Sequence, residues 1–451
     1  NALLANTTGD NNVAVGFGAL DANTTADDNT AVGYVALGAN TTGTRNVAVG
    51  YASLDANTTG DFNTASGFSS LSANTTADSN TAVGYNSLVA NTTGASNVAV
   101  GSLALDANTT GFSQTGVGFG ALGANTTGYD NAAFGVNALA ANISGLSNTA
   151  VGNYALDANT TADDNTAVGY ASLGANTTGG NLTAVGKGAL AANTTANDNT
   201  AVGLQSLTSN TTGASNTAVG RDAGEFATTA DGSTFIGSFA GQGITGAKLT
   251  GDDNTAVGKN AGLNLQGAAT NNTLLGASAG DTITTGVNNI IIGYVSDVSA
   301  ADASTQFVLG HGVTSVGNGN FTFGDGTSDS NIAHGATSIT APSDQRYKEE
   351  ITTSTAGLSF IKDLRPVTFK WKKEKDLPTS HRAYVDASES RTINDYTNHG
   401  FVAQEVKTAI DAHSEIKDGF DMWSTDDQAD GGRQRIGDAS LMPMMVKAVQ
   451  E

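Results

Sequence analysis

Residues 29–45 read NTAVGYVALGANTTGTR, and residues 46–62 repeat them as NVAVGYASLDANTTGDF. The same unit opens at Asn12 and recurs every 17 residues as far as Ser233. Five further units follow at spacings of 21, 18, 17, 17 and 14 residues, and the last opens at Asn320. A glycine stands four residues after the start of all nineteen units. Because self-similarity at a short fixed period is typical of stacked repeats, this unit decides the fold.

Each unit contains two short apolar segments, N-x-A-V-G and A-L-x-A-N-T-T, separated by two turns. Seventeen residues are too few for a pair of helices, so each unit is predicted to form one coil of a parallel β-solenoid, a mainly β rod. Stacked coils place like residues above like, and we expect valine and leucine rows to fill a narrow core with alanine where its walls approach. Asparagine rows are expected to hydrogen-bond along the stack, and glycines to occupy corners that disfavour other residues.

The composition divides the chain near residue 342. Residues 1–342 contain five basic and 23 acidic residues, whereas residues 343–451 contain 15 and 19. Both tryptophans, all four methionines and all four prolines lie at or beyond Pro342. The absence of proline before that point fits a solenoid, since proline would remove a hydrogen bond between coils. We therefore predict regular repeats over 1–236, irregular repeats and a connector over 237–342, and a small α+β domain over 343–451.

Composition also excludes several classes of site. The chain has no cysteine, which excludes disulfides, zinc ribbons and thiol nucleophiles. Its net charge of −22 disfavours nucleic-acid binding, and we expect no cofactor and no metal. No apolar run approaches the roughly 20 residues needed to span a membrane, and no signal peptide is visible. Residues 3–8 match the second half of a unit, so we expect the natural protein to extend upstream.

Some features of the repeat allow a second interpretation. The paired threonines fit an ice-binding face, but threonine also suits a β-edge position, which we favour. Pairs such as Asp27-Asp28, Asp163-Asp164 and Asp252-Asp253 fit a calcium site, but they lack the spacing of a calcium loop, so we favour solvated turns. The Asn-Thr-Thr sequons are glycan acceptors in form, yet their periodicity indicates ladder residues. The variable units after Ser233 either hold a receptor-binding surface or taper the rod.

The N-x-A-V-G and A-L-x-A pattern of residues 1 to about 325 resembles the head repeats of trimeric autotransporter adhesins, although those heads use shorter coils. The resemblance implies a left-handed parallel β-roll packed as a homotrimer. Trimerisation also has a physical motive. A rod with so thin a core buries little apolar surface alone, and three associated chains cover one face of each.

Three ordered motifs occupy the last part of the chain. Residues 343–374 read SDQRYKEEITTSTAGLSFIKDLRPVTFKWKKE, residues 399–410 read HGFVAQEVKTAI, and residues 441–448 read LMPMMVKA. They resemble the intramolecular chaperone domain of phage endosialidases, a self-cleaving peptidase family with a Ser-Lys dyad. The chain stops at Glu451, where the long coiled-coil tail of that family begins.

The resemblance implies that Ser343 is the nucleophile and Lys348 the base of a single-turnover cleavage, with no activity in trans. Asp344 and Arg346 match the rest of the opening motif. They either align the dyad or the trimer interface, or form a helix cap and surface charge. His399 and Gln404 lie in the second motif as possible supporting residues, for which we favour structural contacts. Whether the bond before or after Ser343 breaks stays open, and so does whether this chain is an enzyme in that sense.

The residues themselves agree with an α+β domain. Val367, Phe369 and Trp371 alternate with polar residues, which predicts a half-buried strand. Val402, Val406 and Ile410 form one apolar helix face by spacing, and Leu441, Met445 and Val449 repeat that spacing and would suit a trimeric coiled-coil seam.

Two functions follow. The first is a bacteriophage tail fibre or spike in the virion that contacts a host receptor or glycan, attached to other tail proteins through an upstream part. The second is a bacterial surface adhesin with the same chaperone. A polysaccharide-cleaving fibre is disfavoured because residues 1–342 contain no tryptophan for sugar stacking.

Overall fold

The structure of the protein is a computed structural model, which describes residues 1–336, 351, 353, 355–377, 379, 384–416, 422–425, 434–436 and 441–451. The chain divides into two compact units, Asn1–Pro342 and Ser343–Glu451. The described part of the first is a parallel β-solenoid, and that of the second is a small α+β unit.

The solenoid confirms the predicted stack of 17-residue coils. Thr30 pairs in parallel with Val47, which pairs with Thr64 one coil further on. The parallel pairing continues from coil to coil up to β19, and β20 then pairs antiparallel with β19. The strands are Val13–Val15 (β1), Thr30–Val32 (β2), Val47–Val49 (β3), Thr64–Ser66 (β4), Thr81–Val83 (β5), Val98–Val100 (β6), Thr115–Val117 (β7), Ala132–Phe134 (β8), Thr149–Val151 (β9), Thr166–Val168 (β10), Thr183–Val185 (β11), Thr200–Val202 (β12), Thr217–Val219 (β13), Thr234–Ile236 (β14), Thr255–Val257 (β15), Thr273–Leu275 (β16), Ile290–Ile292 (β17), Phe307–Gly310 (β18), Asn320–Gly324 (β19) and Ser330–Ala333 (β20).

The expectation that valine rows fill the core is wrong. The middle residue of each strand points inward, and Ala31 and Ala48 have no exposed surface. The residues on either side point outward, so that Val13 is 50% and Val15 58% exposed. Because successive strand residues face opposite sides, a shift of one residue decides which row is buried. The core is therefore built from these alanines and from the leucines of the second segment.

The second apolar segment of each coil is a stacked run of turns rather than a strand. Leu37 and Leu54 have φ angles of 54° and 53°, in the left-handed region. This conformation costs an L-residue roughly 1–2 kcal/mol, which the complete burial of each leucine offsets. The Leu37 N–H donates to the Ser53 carbonyl of the next coil at 3.0 Å. Backbone hydrogen bonds thus join the coils on this side as well.

Two asparagine ladders run along the interior, as predicted. In one, Asn57 Nδ2 donates to Asn40 Oδ1 at 2.9 Å and to the Gly60 carbonyl at 3.0 Å. In the other, the Asn63 N–H donates to Asn46 Oδ1 at 2.9 Å. The side chains of both rows are buried. The asparagines of the Asn-Thr-Thr sequons are therefore ladder residues.

The corner glycines also behave as predicted. Gly33 has a φ of 144°, and a Cβ placed on it would lie 2.1 Å from the Gly50 carbonyl oxygen of the next coil. Neither the conformation nor the space admits another residue.

The core changes composition where the irregular coils begin. The leucine row ends at Leu207, and Gly224 takes its place in the next coil. In compensation, Phe235 replaces the inward alanine of β14 and is completely buried. A Cβ on Gly224 would lie 2.6 Å from Phe235 Cδ2, and one on Gly241 would lie 2.1 Å from Cδ1. The large side chain has moved from the turn segment to the strand, and two glycines provide its space.

The solenoid ends in the hairpin of β19 and β20. In the turn between them, the Asp325 carboxylate accepts hydrogen bonds from the Thr327 hydroxyl at 2.7 Å and from the N–H groups of Thr327 and Ser328 at 2.9 Å. These bonds lower the pKa of Asp325 to about 2.

The described part of the second unit contains three short helices packed with short strands. Its buried side chains include Phe360, Val406, Ile410 and Met444. The elements are Leu358–Asp363 (α1), Val367–Phe369 (β21), a 3-10 turn at Glu374–Asp376, Asn398–Gly400 (β22), Ala403–Ala412 (α2), Trp423–Thr425 (β23), Gln434–Ile436 (β24) and Leu441–Gln450 (α3). Strands β21 and β22 pair antiparallel, as do β23 and β24. Among the described residues, no helix is both long and apolar enough to cross a membrane.

The helix and strand predictions for this unit hold with two adjustments. Val367 and Phe369 lie half-buried in β21, which ends before Trp371. Val402 is exposed and precedes α2, so the apolar face of that helix begins at Val406. In α3, Leu441 packs on the core, whereas Met445 and Val449 are exposed.

Candidate functional site

The most extensive surface feature is what we call the outward face, formed by the first and third residues of β1–β18. The first column contains mainly threonine and valine, and the third is apolar in every strand except β4, which ends at Ser66. No charged residue occurs in either column, although residues 1–342 contain 23 acids. A monomeric protein rarely leaves an apolar strip of more than a few hundred Å² in water. The outward face is therefore a candidate interface.

Two edge columns flank the outward face. The leading edge is the residue directly before the opening residue of each unit, and the trailing edge is the residue directly after each corner glycine. On the trailing edge, neighbouring rings of the first five coils stack at centroid distances of 5.5, 5.1, 5.0 and 5.6 Å. These rings, each about half exposed or more, are Phe17, Tyr34, Tyr51, Phe68 and Tyr85. Because each ring covers its neighbour's face, the row presents ring edges as an apolar ridge.

The paired threonines and paired aspartates, which also fitted an ice-binding face and a calcium site, make hydrogen bonds between coils. The hydroxyl of the first threonine of each pair donates to the next coil, as Thr41 does to the Thr58 carbonyl at 3.0 Å. The first aspartate of each acidic pair accepts from the preceding coil. Asp27 Oδ1 takes the Asp10 N–H at 2.7 Å, and Asp163 takes that of Leu146 at 2.7 Å. In the part of the chain that the structure describes, no cluster of three or more acidic, histidine or cysteine residues is arranged to hold a metal.

The residues of the expected dyad motif, Ser343, Asp344, Arg346 and Lys348, lie outside the described residues. The two supporting candidates are described. His399 is exposed in β22, where it pairs with Thr368 of β21, and Gln404 is exposed in the first turn of α2.

An ionic cluster that sequence reasoning missed joins α1 to the end of α2. His413 Nε2 lies 2.9 Å from Asp363 Oδ2, and its Nδ1 lies 3.1 Å from Glu415 Oε1. The hydrogen bond to Asp363, helped by Glu415, raises the pKa of His413 above its ordinary value. No local sequence motif indicates this cluster, because 50 residues separate His413 from Asp363.

Beside this cluster, Arg365 forms a two-pronged ion pair with Glu405, which lowers the pKa of that carboxyl. An open groove of about 430 Å³ lies beside this pair, lined by Asp363, Arg365, Glu405, Thr408, Ala409 and Ala412. The lining holds no nucleophile next to a base, so the groove has no catalytic arrangement of its own.

Part of the second unit matches a known protein family. Residues 343–414 match the family described as the chaperone of endosialidase. The match includes the opening Ser-Asp motif and the G-F-V-A-Q-E segment, and it covers less than half of the chain. It supports a C-terminal intramolecular chaperone attached to a repeat rod, and the family implies trimeric assembly. No curated protein and no solved structure matches the chain.

One feature of the sequence indicates which strand residues face outward. The first residue of the strand is valine in some units and threonine in others, whereas the second is alanine in most units. A position that accepts polar and apolar residues alike is typical of a surface, and a constant small residue is typical of a tight core.

Proposed function

We propose that the protein is a trimeric fibre whose C-terminal chaperone directs its assembly. The outward face is the observation that supports this function most directly, because it is free of charge along eighteen coils. Three copies arranged around a common axis would remove their outward faces from water together. The match of residues 343–414 to the endosialidase chaperone family points to the same assembly.

A chaperone would prevent a specific assembly error of this rod. Chains that look alike every 17 residues can pair in slipped registers, and a slipped parallel assembly is slow to correct. A C-terminal unit that associates first would align the three chains at one end, and the coils would then assemble away from it. Cleavage afterwards would leave the fibre kinetically trapped.

The fibre is proposed to belong to a bacteriophage tail and to contact the surface of the host, with a bacterial surface adhesin as the second candidate. The coding region upstream of Asn1 distinguishes them. A virion-attachment domain there supports the tail fibre, and a signal peptide with an outer-membrane anchor supports the adhesin.

Release of the chaperone is proposed to occur by autoproteolysis at Ser343. Lys348 in its neutral form, which desolvation of a lysine favours, would take the proton of the Ser343 hydroxyl. The hydroxyl oxygen then attacks the Pro342 carbonyl, and the C–N bond breaks as the amine leaves with a proton. Water hydrolyses the resulting ester and restores the hydroxyl.

The cleavage test compares the unmodified chain with Ser343→Ala, using Ser359→Ala as the control because Ser359 is an exposed residue of α1. The unmodified chain and the control should lose about a quarter of their length on a denaturing gel, and Ser343→Ala should not. The intact mass of the released fragment assigns the bond. An unmodified chain that stays whole would contradict the proposal.

The trimer test uses light scattering and denaturing gels run without boiling. The unmodified chain should have three times the mass of one chain. Val151→Asp combined with Val168→Asp places charges on the outward face and should lower that mass. Thr161→Asp with Thr178→Asp, two exposed positions on another side of the coil, is the matched control and should remain trimeric. A monomeric unmodified chain would overturn the proposal.

A further inference from the structure

The two edges of the outward face differ in charge. The trailing edge carries Lys187, Arg221 and Lys259, three of the five basic residues of residues 1–342, and it contains no acid in the coils of β1–β18. The leading edge has the opposite character. It carries one base, Arg45, and five exposed acids, which are Asp28, Asp130, Asp164, Asp198 and Asp253.

The two edges of one chain do not satisfy each other. They flank the strand on opposite sides, so five residues of largely extended chain lie between them, on the order of 15 Å or more. Among the described residues, no ion pair of Lys187, Lys259 or Asp164 is present. Arg221 pairs with its neighbour Asp222 at 2.8 Å and lies 5.1 Å from the centroid of the Phe239 ring, while 62% of its side chain stays exposed. Within the leading edge, Arg45 pairs with Asp28 at 3.8 Å and lies 5.3 Å from the centroid of the Phe62 ring. The charges available to another chain are therefore those of the exposed Lys187, Lys259 and Asp164.

Resting on the proposed trimer, we infer that the trailing edge of each copy lies against the leading edge of the next, offset by one coil. In a closed ring each subunit meets its two neighbours through different surfaces, which requires complementary edges rather than identical ones.

The one-coil offset follows from matching the two columns. When each trailing-edge residue faces the leading-edge residue of the preceding coil, Lys187 meets Asp164 and Arg221 meets Asp198. In the first coils the same offset places the Phe68 ring beside Arg45, which already lies over the Phe62 ring of its own chain, so the contact would add a second ring to that cation. This offset leaves Lys259 opposite Gly232. With no offset Lys259 meets Asp253, but Lys187 and Arg221 face Asn181 and Ser215, so the one-coil offset forms two ion pairs against one. The opposite offset supplies Lys187 with Asp198 but places Arg221 beside Gly232.

The test exploits the absence of cysteine from the chain. The full chain is prepared with Lys187→Cys combined in turn with Asp164→Cys, Asn181→Cys and Asp198→Cys, and treated with a short bis-methanethiosulfonate reagent. Such a reagent bridges the Cα separation of an ion pair, which exceeds the roughly 7 Å limit of a direct disulfide. The 164/187 pair should close into a covalent trimer several-fold faster than the other two pairs. Lys187→Cys alone, and Lys187→Cys with Thr178→Cys on another side of the coil, are controls that should yield no covalent trimer.

A charge reversal checks the same contact without cysteine. Asp164→Lys should lower the urea concentration at which the trimer dissociates, and adding Lys187→Asp should recover that loss, with both effects shrinking at high salt. If the cysteine pair 181/187 or 198/187 links fastest, or if no pair links, the edge pairing is overturned while the proposed trimer still stands. A monomeric unmodified chain overturns both.

Discussion

Asn57 Nδ2 donates a hydrogen bond of 2.9 Å to Oδ1 of Asn40, its counterpart one coil earlier. The same amide also satisfies the Gly60 carbonyl of its own turn. Asn74 then donates to Asn57 Oδ1 at 2.9 Å, so each asparagine serves three groups at once. The ladder ends at Asn210, whose Oδ1 is buried with no hydrogen-bond partner among the described residues. The row is therefore a cooperative element, and its interior members matter most.

Replacing Asn57 with alanine should open the coils around it. The change removes a hydrogen bond from each of three groups. The Gly60 carbonyl still accepts from Asn46 Nδ2, and the Asn74 amide still donates to the Ala77 carbonyl. Asn40 Oδ1 loses its donor, and an unsatisfied buried acceptor costs about 1–3 kcal/mol. Because a solenoid coil is stabilised by its nearest neighbours, hydrogen exchange measured by mass spectrometry should quicken in peptides covering residues 40–74 and stay unchanged in distant coils. Thr59→Ala, at an exposed position two residues away, is the control. Uniform protection in both variants would show that the ladder is not a source of stability.

Because Phe235 replaces an alanine and Gly224 replaces a leucine, we expect substitutions at these two positions to compensate for each other. Phe235→Ala should destabilise the solenoid by about 3–5 kcal/mol through the cavity it leaves. Gly224→Leu should also destabilise it, since a Cβ there lies 2.6 Å from Phe235. Combining the two rebuilds the alanine–leucine packing of the regular coils, where Leu207 adopts a comparable left-handed φ of 48°.

The double variant should therefore lose less free energy of unfolding than the two single variants lose in total. Thermal unfolding followed by circular dichroism can measure this difference. Phe112→Ala removes a ring that is 44% exposed and should cost far less. Strict additivity of the two core changes would contradict the packing argument.

The sequence predicted the period, the ladders and the corners because each depends on a residue type that recurs at one position. It did not predict which side of the strand is buried. In Val13-Ala14-Val15 the larger apolar residues are the obvious core candidates, but the stacked leucines already fill the coil and leave room only for alanine. The preference of Leu37 for a left-handed conformation follows from that packing and not from leucine itself. The His413 cluster was equally hidden, because its partners come from distant segments.

Acidification should stabilise the solenoid locally. Asp55, Asp106 and Asp157 each follow a buried leucine, and partial burial raises the pKa of each carboxyl. A raised pKa means that the folded coil disfavours the charged form, so stability increases as the pH falls through the folded pKa towards the ordinary value of about 3.9. The comparison is made at high salt, which screens repulsion between distant acids. The triple change to asparagine should flatten this dependence of the melting temperature between pH 7 and 4, and an unchanged slope would contradict it.

The second unit should respond to pH in the opposite direction, through His413. Its folded pKa is raised by the hydrogen bonds to Asp363 and Glu415, so the stabilisation is complete below the unfolded value of about 6.5 and is lost as the pH rises through the folded pKa. Both tryptophans lie in this unit, at Trp371 and Trp423, which makes tryptophan fluorescence a selective probe of it in the full chain. The urea midpoint of the fluorescence change should fall between pH 6 and 8 in the unmodified chain. It should be nearly independent of pH in His413→Gln, whereas His399→Gln, which alters an exposed histidine of β22, should keep the unmodified behaviour. If His413→Gln keeps the full pH dependence, the link between α1 and the end of α2 does not depend on the charge of the imidazole.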